Sequence, residues 1–224
     1  AKQAALHGRP VTTITNGFDP DAVNDLPAPL TQQFTVTYTG LIYRGRQDPT
    51  KLFDALRTLC DERRIDRRDV EVRLYGPKQL WVHDEIESRG LGDVVRQYGP
   101  VPKGKSLEAQ RESQLLLLLA WEKPGETGVY PSKTFEYLAA RRPIFVTGGA
   151  PEEDVKRIVA ETGAGVAGVT ADEIKERLLA FYREYRNGGT VPYCGDSQTI
   201  ERYSFRNIAR RFAEVLDGMT KKVQ

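Results

Sequence analysis

The sequence predicts an α/β protein built on a doubly wound, parallel sheet of about six strands. Short strand-like segments alternate with helical segments along most of the chain, an arrangement typical of parallel sheets. The apolar run at residues 115–121 has no polar alternation, as expected for a parallel strand buried on both faces. Glycines that directly follow several strand-like segments supply the turns that this topology requires.

Period-two alternation or apolar runs identify four strands in the first half of the chain. They cover Phe34–Thr39, Val70–Tyr75, residues 94–98 and residues 115–121. The first helix is marked by four apolar residues at i, i+3, i+4 and i+7, namely Leu52, Ala55, Leu56 and Leu59. Two further helices are expected over residues 80–89 and 106–113.

The second half keeps the same alternation. Strands are expected over residues 143–147 and 164–169, and helices over residues 132–141 and from Pro151 onward. Thr170 and Glu173 form a capping-box pattern at the start of a long helix. Its buried stripe is predicted to contain Ile174, Leu178, Phe181 and Tyr185. A last helix follows Ser204, and its inward face is predicted to contain Ile208, Phe212 and Leu216.

Composition excludes several classes of protein. The 224 residues include 33 Lys and Arg against 31 Asp and Glu, a net charge of +2, which argues against a nucleic-acid-binding surface over the whole protein. The longest apolar run is seven residues, whereas a membrane helix needs about 20. Cys60, Cys194, His7 and His83 show neither a disulfide framework nor metal-ligand spacing. We therefore expect no metal site and a reducing, cytosolic setting.

The chain is predicted to hold one domain preceded by a connecting segment. Residues 1–33 are poor in periodic structure and contain three prolines after residue 19, so we interpret them as a linker or entry segment. Residues 34–224, including the C-terminal helix, are expected to form the domain.

Ligands of an open α/β sheet bind beyond the carboxyl ends of its strands. Five loops there carry marked chemistry: residues 40–46, 75–77, 98–101, 122–132 and 147–149. Glycines such as Gly40 and Gly76 allow a ligand to approach the backbone closely, although they also serve simple tight turns. Arg44 and Arg46 flank Gly45 in the first loop, where a guanidinium is suited to a diphosphate or to a solvated basic loop.

The most informative segment is residues 128–136, in which Gly128 and Ser132 precede a helix N-terminus. Backbone N–H groups and the helix dipole favour an anion there. Lys133 in the first turn opposes the dipole, which is understandable if an anion lies between, and Glu136 shares its face at i+3. A cation for phosphate and a carboxylate for sugar hydroxyls suit a sugar nucleotide, but the spacing fits an ordinary surface ion pair equally well.

Several stretches match one known family in order and spacing. Residues 133–144 are similar to Lys-x-x-Glu-Tyr-Leu-Ala-x-Gly-x-Pro-Ile, and residues 14–19 resemble Ile-Pro-Asn-Gly-Val-Asp. Residues 38–46 and 98–101 resemble a glycine-rich first loop and a base-holding loop. From Ile14 to about Leu216 the chain thus resembles the C-terminal half of a GT-B glycosyltransferase, of the family often called glycosyl transferases group 1.

The resemblance implies a Rossmann-like domain that binds a nucleotide diphosphate sugar. Arg46 falls where the family has a diphosphate-binding lysine, Lys133 matches a second phosphate-side cation, and Glu136 matches the glutamate that hydrogen-bonds the ribose. Two positions depart from the pattern: Gly128 replaces the first glutamate of the Glu-x7-Glu motif, and Leu41 replaces an arginine. The substrate-binding residues expected from the sequence are Gly40, Arg46, Gly76, Pro100, Val101, Gly128, Ser132, Lys133 and Glu136.

The implied activity is transfer of a sugar from a nucleotide diphosphate sugar to an acceptor hydroxyl, with Arg46 and Lys133 stabilising the leaving diphosphate and with no separate cofactor or metal. The resemblance also implies a preceding acceptor domain as partner, an inactive isolated half, and a cytoplasmic location that extends to the inner face of the membrane. No nucleic-acid partner is expected. Two alternatives remain open: a non-catalytic nucleotide- or carbohydrate-binding module, and a sugar-nucleotide epimerase of the same fold.

Overall fold

The computed structural model describes residues 11–21, 28–122, 129–150 and 153–220. This part of the chain contains one six-stranded parallel sheet with the order β3-β2-β1-β4-β5-β6. The strands are β1 Phe34–Thr39, β2 Val70–Tyr75, β3 Val95–Gly99, β4 Leu115–Leu119, β5 Ile144–Thr147 and β6 Gly165–Gly168. The predicted doubly wound, Rossmann-like sheet is confirmed.

Helices flank the sheet on both faces. They are α1 Thr50–Asp61, α2 Leu80–Ser88, α3 Lys103–Glu112, α4 Lys133–Ala140, α5 Asp154–Glu161, α6 Ala171–Gly188, α7 Ser197–Glu201 and α8 Phe205–Thr220. The sequence did not predict α7, because five residues are too short for a helical period. The carboxylate of Asp196 starts it by accepting hydrogen bonds from the backbone N–H groups of Gln198 and Thr199.

Two hydrophobic cores lie on the two faces of the sheet. Leu115, Leu117 and Leu119 of β4 face the core that contains β1, β2, α1 and α6, whereas Leu116 and Leu118 face the core that contains α4 and α5. All five leucines are 0% exposed. The apolar run is therefore a strand buried on both faces, as predicted.

The strand order reverses at β1, which lies between β2 and β4. The connections from β1 and β4 therefore pass to opposite faces of the sheet and leave a crevice at the carboxyl ends of these two strands. This crevice is where the fold would hold a ligand.

Helix α6 begins as predicted, because the Thr170 side chain and the Glu173 carboxylate form a reciprocal capping box. Ile174 and Leu178 are fully buried, while Phe181 and Tyr185 are half-buried and pack against the first core.

The predicted inward face of the last helix is wrong in two of its three residues. Ile208 is buried, but Phe212 and Leu216 are 53% and 60% exposed. The first turns of α8 contact the entry segment, where Phe18 pairs with Ser204 as an isolated bridge. Beyond those turns its large apolar side chains are exposed. The helical period correctly predicts an apolar stripe but cannot tell what covers it.

Candidate functional site

Two glycines bring the ends of β1 and β2 together. Gly40 and Gly76 have positive φ angles of +117° and +145°, a region that L side chains rarely adopt. The Gly40 N–H donates to the Tyr75 carbonyl at 2.7 Å. A Cβ placed on Gly76 would lie 2.2 Å from the Gly40 carbonyl oxygen. The two backbones thus pack at a distance that only glycine permits at position 76.

Lys133 reaches from the first turn of α4 to the end of β1. Its ammonium donates to the Tyr38 phenol oxygen at 2.5 Å and lies 3.8 Å from the centre of the Tyr38 ring. A Cβ on Gly40 would lie 2.9 Å from the same nitrogen. The Tyr38 hydroxyl in turn donates to the Leu41 carbonyl at 2.8 Å. The structure therefore brings Lys133 and Gly40 together in the crevice.

The partner of this cation is neutral. Burial raises the pKa of the Tyr38 phenol well above its ordinary value, so Tyr38 stays protonated at physiological pH. Burial lowers the pKa of Lys133 from 10.5 to about 7, against the opposing effect of the nearby Glu136 carboxylate. An anion bound beside Lys133 would supply the negative charge that its immediate partner lacks.

Glu136 lies one turn along α4 and is held at both carboxylate oxygens. Its Oε1 accepts from the Lys103 ammonium at 2.5 Å, and its Oε2 accepts from the Gln110 amide at 3.2 Å. Lys103 is the first residue of α3 and follows Pro100 and Val101 by two to three positions. The ion pair thus joins the base-holding loop predicted from the sequence to the carboxylate predicted for the ribose.

Tyr137 anchors the start of α4 against β1. Its phenol oxygen accepts a hydrogen bond from the Thr39 N–H at 2.9 Å and lies 3.3 Å from the Thr39 hydroxyl. The side chain is fully buried, and burial raises the pKa of its phenol. Because β1 and β4 diverge here, this side chain satisfies a backbone donor at the end of β1.

Arg46 ends the loop that Gly40 begins. Its carbonyl accepts from the Glu122 N–H at 2.7 Å, which ties the first loop to the segment after β4. Its guanidinium carbon lies 5.2 Å from the centre of the Trp121 ring, within cation–π range. Arg46 therefore lies on the β4 side of this loop, while Lys133 lies against its beginning.

Three more of the predicted residues lie shortly before the helices that start at this end of the sheet, and one lies outside the described residues. Pro100 is exposed and Val101 half-buried directly before α3, and Ser132 is exposed directly before α4. The Ser132 carbonyl accepts from the Phe135 N–H at 3.1 Å. Gly128 lies outside the described residues, and Leu41 is 37% exposed.

Four residues that contact Lys133, Glu136 or the end of β1 were not predicted as site residues from the sequence: Tyr38, Lys103, Gln110 and Tyr137. Tyr38 and Tyr137 lie within the matched segments, but no role was assigned to either of them, and Lys103 looks like a solvated helix start. Gln110 carries no sequence signal, and the structure shows it buried beside Ala109 on α3, a helix that packs against β1 and α4. Its burial depends on partners 26 and 71 positions away.

Chemically, this crevice offers positive charge beside a glycine backbone and a fixed carboxylate one helical turn away. The first suits a phosphate and the second a pair of hydroxyls. Among the described residues, no group of three or more His, Cys, Asp or Glu side chains is placed to hold a metal ion. None of the helices in the described ranges is both long and apolar enough to span a bilayer.

Neither a protein-family model nor a curated protein matches the chain. Solved structures do match. The apo lipopolysaccharide outer core galactosyltransferase WaaB has 16% identity and a TM-score of 0.67, covering 97% of this chain and 59% of its own. HepE of Anabaena, in complex with UDP and glucose, has 15% identity and a TM-score of 0.66, covering 91% and 56%. A glycosyltransferase from Rickettsia africae has 14% identity and a TM-score of 0.72, covering 98% and 61%.

These identities establish the fold alone. The chain spans between 56% and 61% of the length of the three structures it matches. The sheet therefore has the architecture of one half of a GT-B glycosyltransferase.

Proposed function

We propose that the chain is the nucleotide-sugar-binding half of a glycosyltransferase that moves a sugar from a nucleotide diphosphate sugar to an acceptor hydroxyl. The observation that carries the proposal is the Lys133 ammonium beside Gly40, at the point where the strand order reverses. HepE, whose fold the chain shares, was crystallised with UDP and glucose, and TarM of S. aureus with UDP. Both facts support a nucleotide diphosphate as the ligand class.

In this proposal each group has one task. The diphosphate lies against Gly40 and the N-terminus of α4, where Lys133 and Arg46 supply positive charge. Glu136 accepts hydrogen bonds from the ribose hydroxyls. The backbone at Pro100 and Val101 holds the base.

The chemistry rests on positioning and charge. As the bond between sugar and diphosphate breaks, negative charge grows on the leaving phosphate, and fixed cations and the helix dipole stabilise that charge most strongly when water is excluded. The protein thereby supplies electrostatic stabilisation at the leaving group.

We also propose that an acceptor domain completes the enzyme. The matched structures are longer than this chain, and α8 presents four large apolar side chains to the surface, Phe205, Phe212, Leu216 and Met219. The entry segment reaches the same place, since the Phe18 N–H donates to the Tyr203 carbonyl and its own carbonyl accepts from the Phe205 N–H. A domain connected through this segment would lie beside the stripe. A cytosolic location at the inner face of the membrane stays a prediction.

Calorimetry tests the proposal directly. Titration of residues 1–224 with UDP, GDP, ADP and dTDP should detect binding of at least one nucleotide, with a preference for the diphosphate over the corresponding monophosphate. If the domain binds none of these four nucleotides, the proposal is overturned. Transfer or hydrolysis of the matching sugar nucleotide by the longer parent protein would separate an enzyme from a non-catalytic binding module.

A further inference from the structure

Gln110 is a buried amide that lies between Thr39 and Glu136. The residue is 0% exposed, and its Nε2 lies 3.2 Å from Glu136 Oε2 and 3.1 Å from Thr39 Oγ1. It therefore links the Glu136 carboxylate on α4 to Thr39, the last residue of β1. Helix α3, which carries Gln110, packs against both of these elements.

The orientation of the amide is determined by its neighbours. A carboxylate only accepts hydrogen bonds, so the NH₂ group of Gln110 must face Glu136. The NH₂ group then donates to Glu136 and Thr39, and the Ser106 hydroxyl is a third, longer contact at 3.5 Å. The carbonyl oxygen of the same amide is buried and has no hydrogen-bond partner among the described residues. An unpaired buried oxygen lowers stability, so the hydrogen bonds of this amide are not arranged for stability alone.

The hydrogen bond from Gln110 restricts the orientation of the Glu136 carboxylate. Its side chain is 27% exposed, and its other oxygen is bound by Lys103, whose side chain is 63% exposed. Because a solvated lysine is mobile, the better-fixed contact is the one from the buried Gln110 side chain. A carboxylate has about four lone-pair positions, so two hydrogen bonds from the protein leave room for two from a ligand.

We propose that Gln110 is a positioning residue that orients the Glu136 carboxylate toward the two ribose hydroxyls of a bound nucleotide. This inference rests on the proposed function. Gln110 touches no ligand itself. It acts by fixing, before binding, the carboxylate rotamer that the diol requires, so that binding does not pay for ordering that side chain.

The test compares two ligands, so that loss of the ribose contact is separated from general damage to the site. The nucleoside diphosphate that binds best among UDP, GDP, ADP and dTDP is titrated alongside its analogue that lacks the available ribose hydroxyls. In the wild-type domain the analogue should bind more weakly. In Gln110→Leu, which keeps the approximate volume and removes the amide, this preference should shrink by about fivefold, the effect of one ordinary hydrogen bond.

Three further variants define the outcome. Glu136→Gln should reduce the same preference, and combining it with Gln110→Leu should add little, because both act on one contact. Thr39→Val, which removes the second anchor of the amide, should shift the preference in the same direction and serves where Gln110→Leu fails to fold. Glu108→Gln, an exposed change on the same helix, should behave as the wild type. Binding of inorganic pyrophosphate should stay within about twofold in Gln110→Leu.

An unchanged preference in Gln110→Leu and Thr39→Val would overturn the role of Gln110 and leave the proposed function standing. An equal loss of pyrophosphate binding would show that Gln110 merely supports the fold of the crevice. If the wild-type domain binds none of the four nucleotides, the proposed function fails, and this inference fails with it.

Discussion

The ammonium of Lys133 lies 2.5 Å from the phenol oxygen of Tyr38, a residue 95 positions earlier in the chain. Helix α4 thereby places a cation over the end of β1, against a partner that carries no charge at physiological pH. Burying a cation whose closest partner is a neutral hydroxyl is costly, even with the Glu136 carboxylate nearby. The contact is understandable if the site exists to receive an anion, and it makes the protonation of Lys133 measurable through ligand binding.

We expect binding of a nucleoside diphosphate to be coupled to proton uptake above neutral pH. The pKa of Lys133 is lowered to about 7 in the free domain, and a bound anion raises it toward its ordinary value. At pH 8 Lys133 is therefore mostly neutral before binding and protonated afterwards. Affinity should fall as the pH rises from about 7 to 9, and calorimetry in buffers of different ionisation enthalpy should detect the uptake.

The matched control is Lys133→Arg, since a guanidinium stays protonated throughout this range. It should bind the diphosphate with no proton uptake at pH 8. Equal uptake in the two proteins would assign the proton to another group, and no uptake in the wild type would contradict the lowered pKa.

Lys133→Met should stabilise the free domain and weaken the site. A base with a lowered pKa in the folded state binds fewer protons than in the unfolded state, so the free energy of unfolding rises with pH between about 7 and 10.5. Removing the charge should abolish this slope and raise stability at pH 6. Affinity for the diphosphate should drop by about 1–3 kcal/mol. Urea unfolding at pH 6 and pH 9 measures the slope.

Arg46→Ala is the companion variant. The Arg46 side chain is exposed and loses its cation–π contact with Trp121, so the free energy of unfolding should change by less than about 1 kcal/mol, whereas diphosphate affinity should again fall by about 1–3 kcal/mol. Unchanged affinity in both the Arg46 and the Lys133 variants would remove the phosphate site from this crevice.

Gly76→Ala should destabilise the domain much more than Gly45→Ala. Both positions have positive φ, but a Cβ on Gly76 would meet the Gly40 carbonyl at 2.2 Å, whereas one on Gly45 has no atom within 4 Å. Strain alone costs about 1–2 kcal/mol at Gly45. The backbone clash should take Gly76→Ala above that and reduce nucleotide binding, since Gly40 must move. Equal melting temperatures would show that the ends of β1 and β2 are farther apart in solution.

The sequence predicts the sheet well because strand burial is a local pattern. β1 and β2 were predicted with their exact limits, and five consecutive leucines predicted the buried strand β4. Within the candidate site, a sequence motif places two residues on one helical turn, and the structure brings Lys133 against Gly40, while the ligand-binding roles of Lys133 and Glu136 stay predictions. Their partners Tyr38 and Gln110 could not be predicted, because each contact depends on how α4 and α3 pack against β1. The prediction that Phe212 and Leu216 face inward was wrong because it, too, depends on how a helix packs.

The apolar stripe of α8 gives a further prediction. Phe212→Ser and Leu216→Ser should change the stability of residues 1–224 by less than about 0.5 kcal/mol, because both side chains are exposed, and should reduce self-association. Ile208→Ser should cost about 2–4 kcal/mol, because this residue is buried against the entry segment near Gly17. Light scattering and chemical unfolding check the two effects. A large loss of stability in Phe212→Ser would mean that this helix packs against the sheet.

The last prediction concerns catalysis. Residues 1–224 should fold and bind a nucleoside diphosphate but transfer no sugar. Folding is expected because the sheet buries a core on each face. Binding is expected because Gly40, Lys133 and Glu136 all lie at the carboxyl end of the parallel strands. Transfer also requires an acceptor site facing that edge and a closure that excludes water from the diphosphate. A radiolabelled sugar nucleotide with several acceptors provides the assay, and a longer protein that includes the acceptor domain is the positive control. Robust turnover by residues 1–224 would show that this one sheet carries a complete active site, and the two-domain proposal would then be wrong.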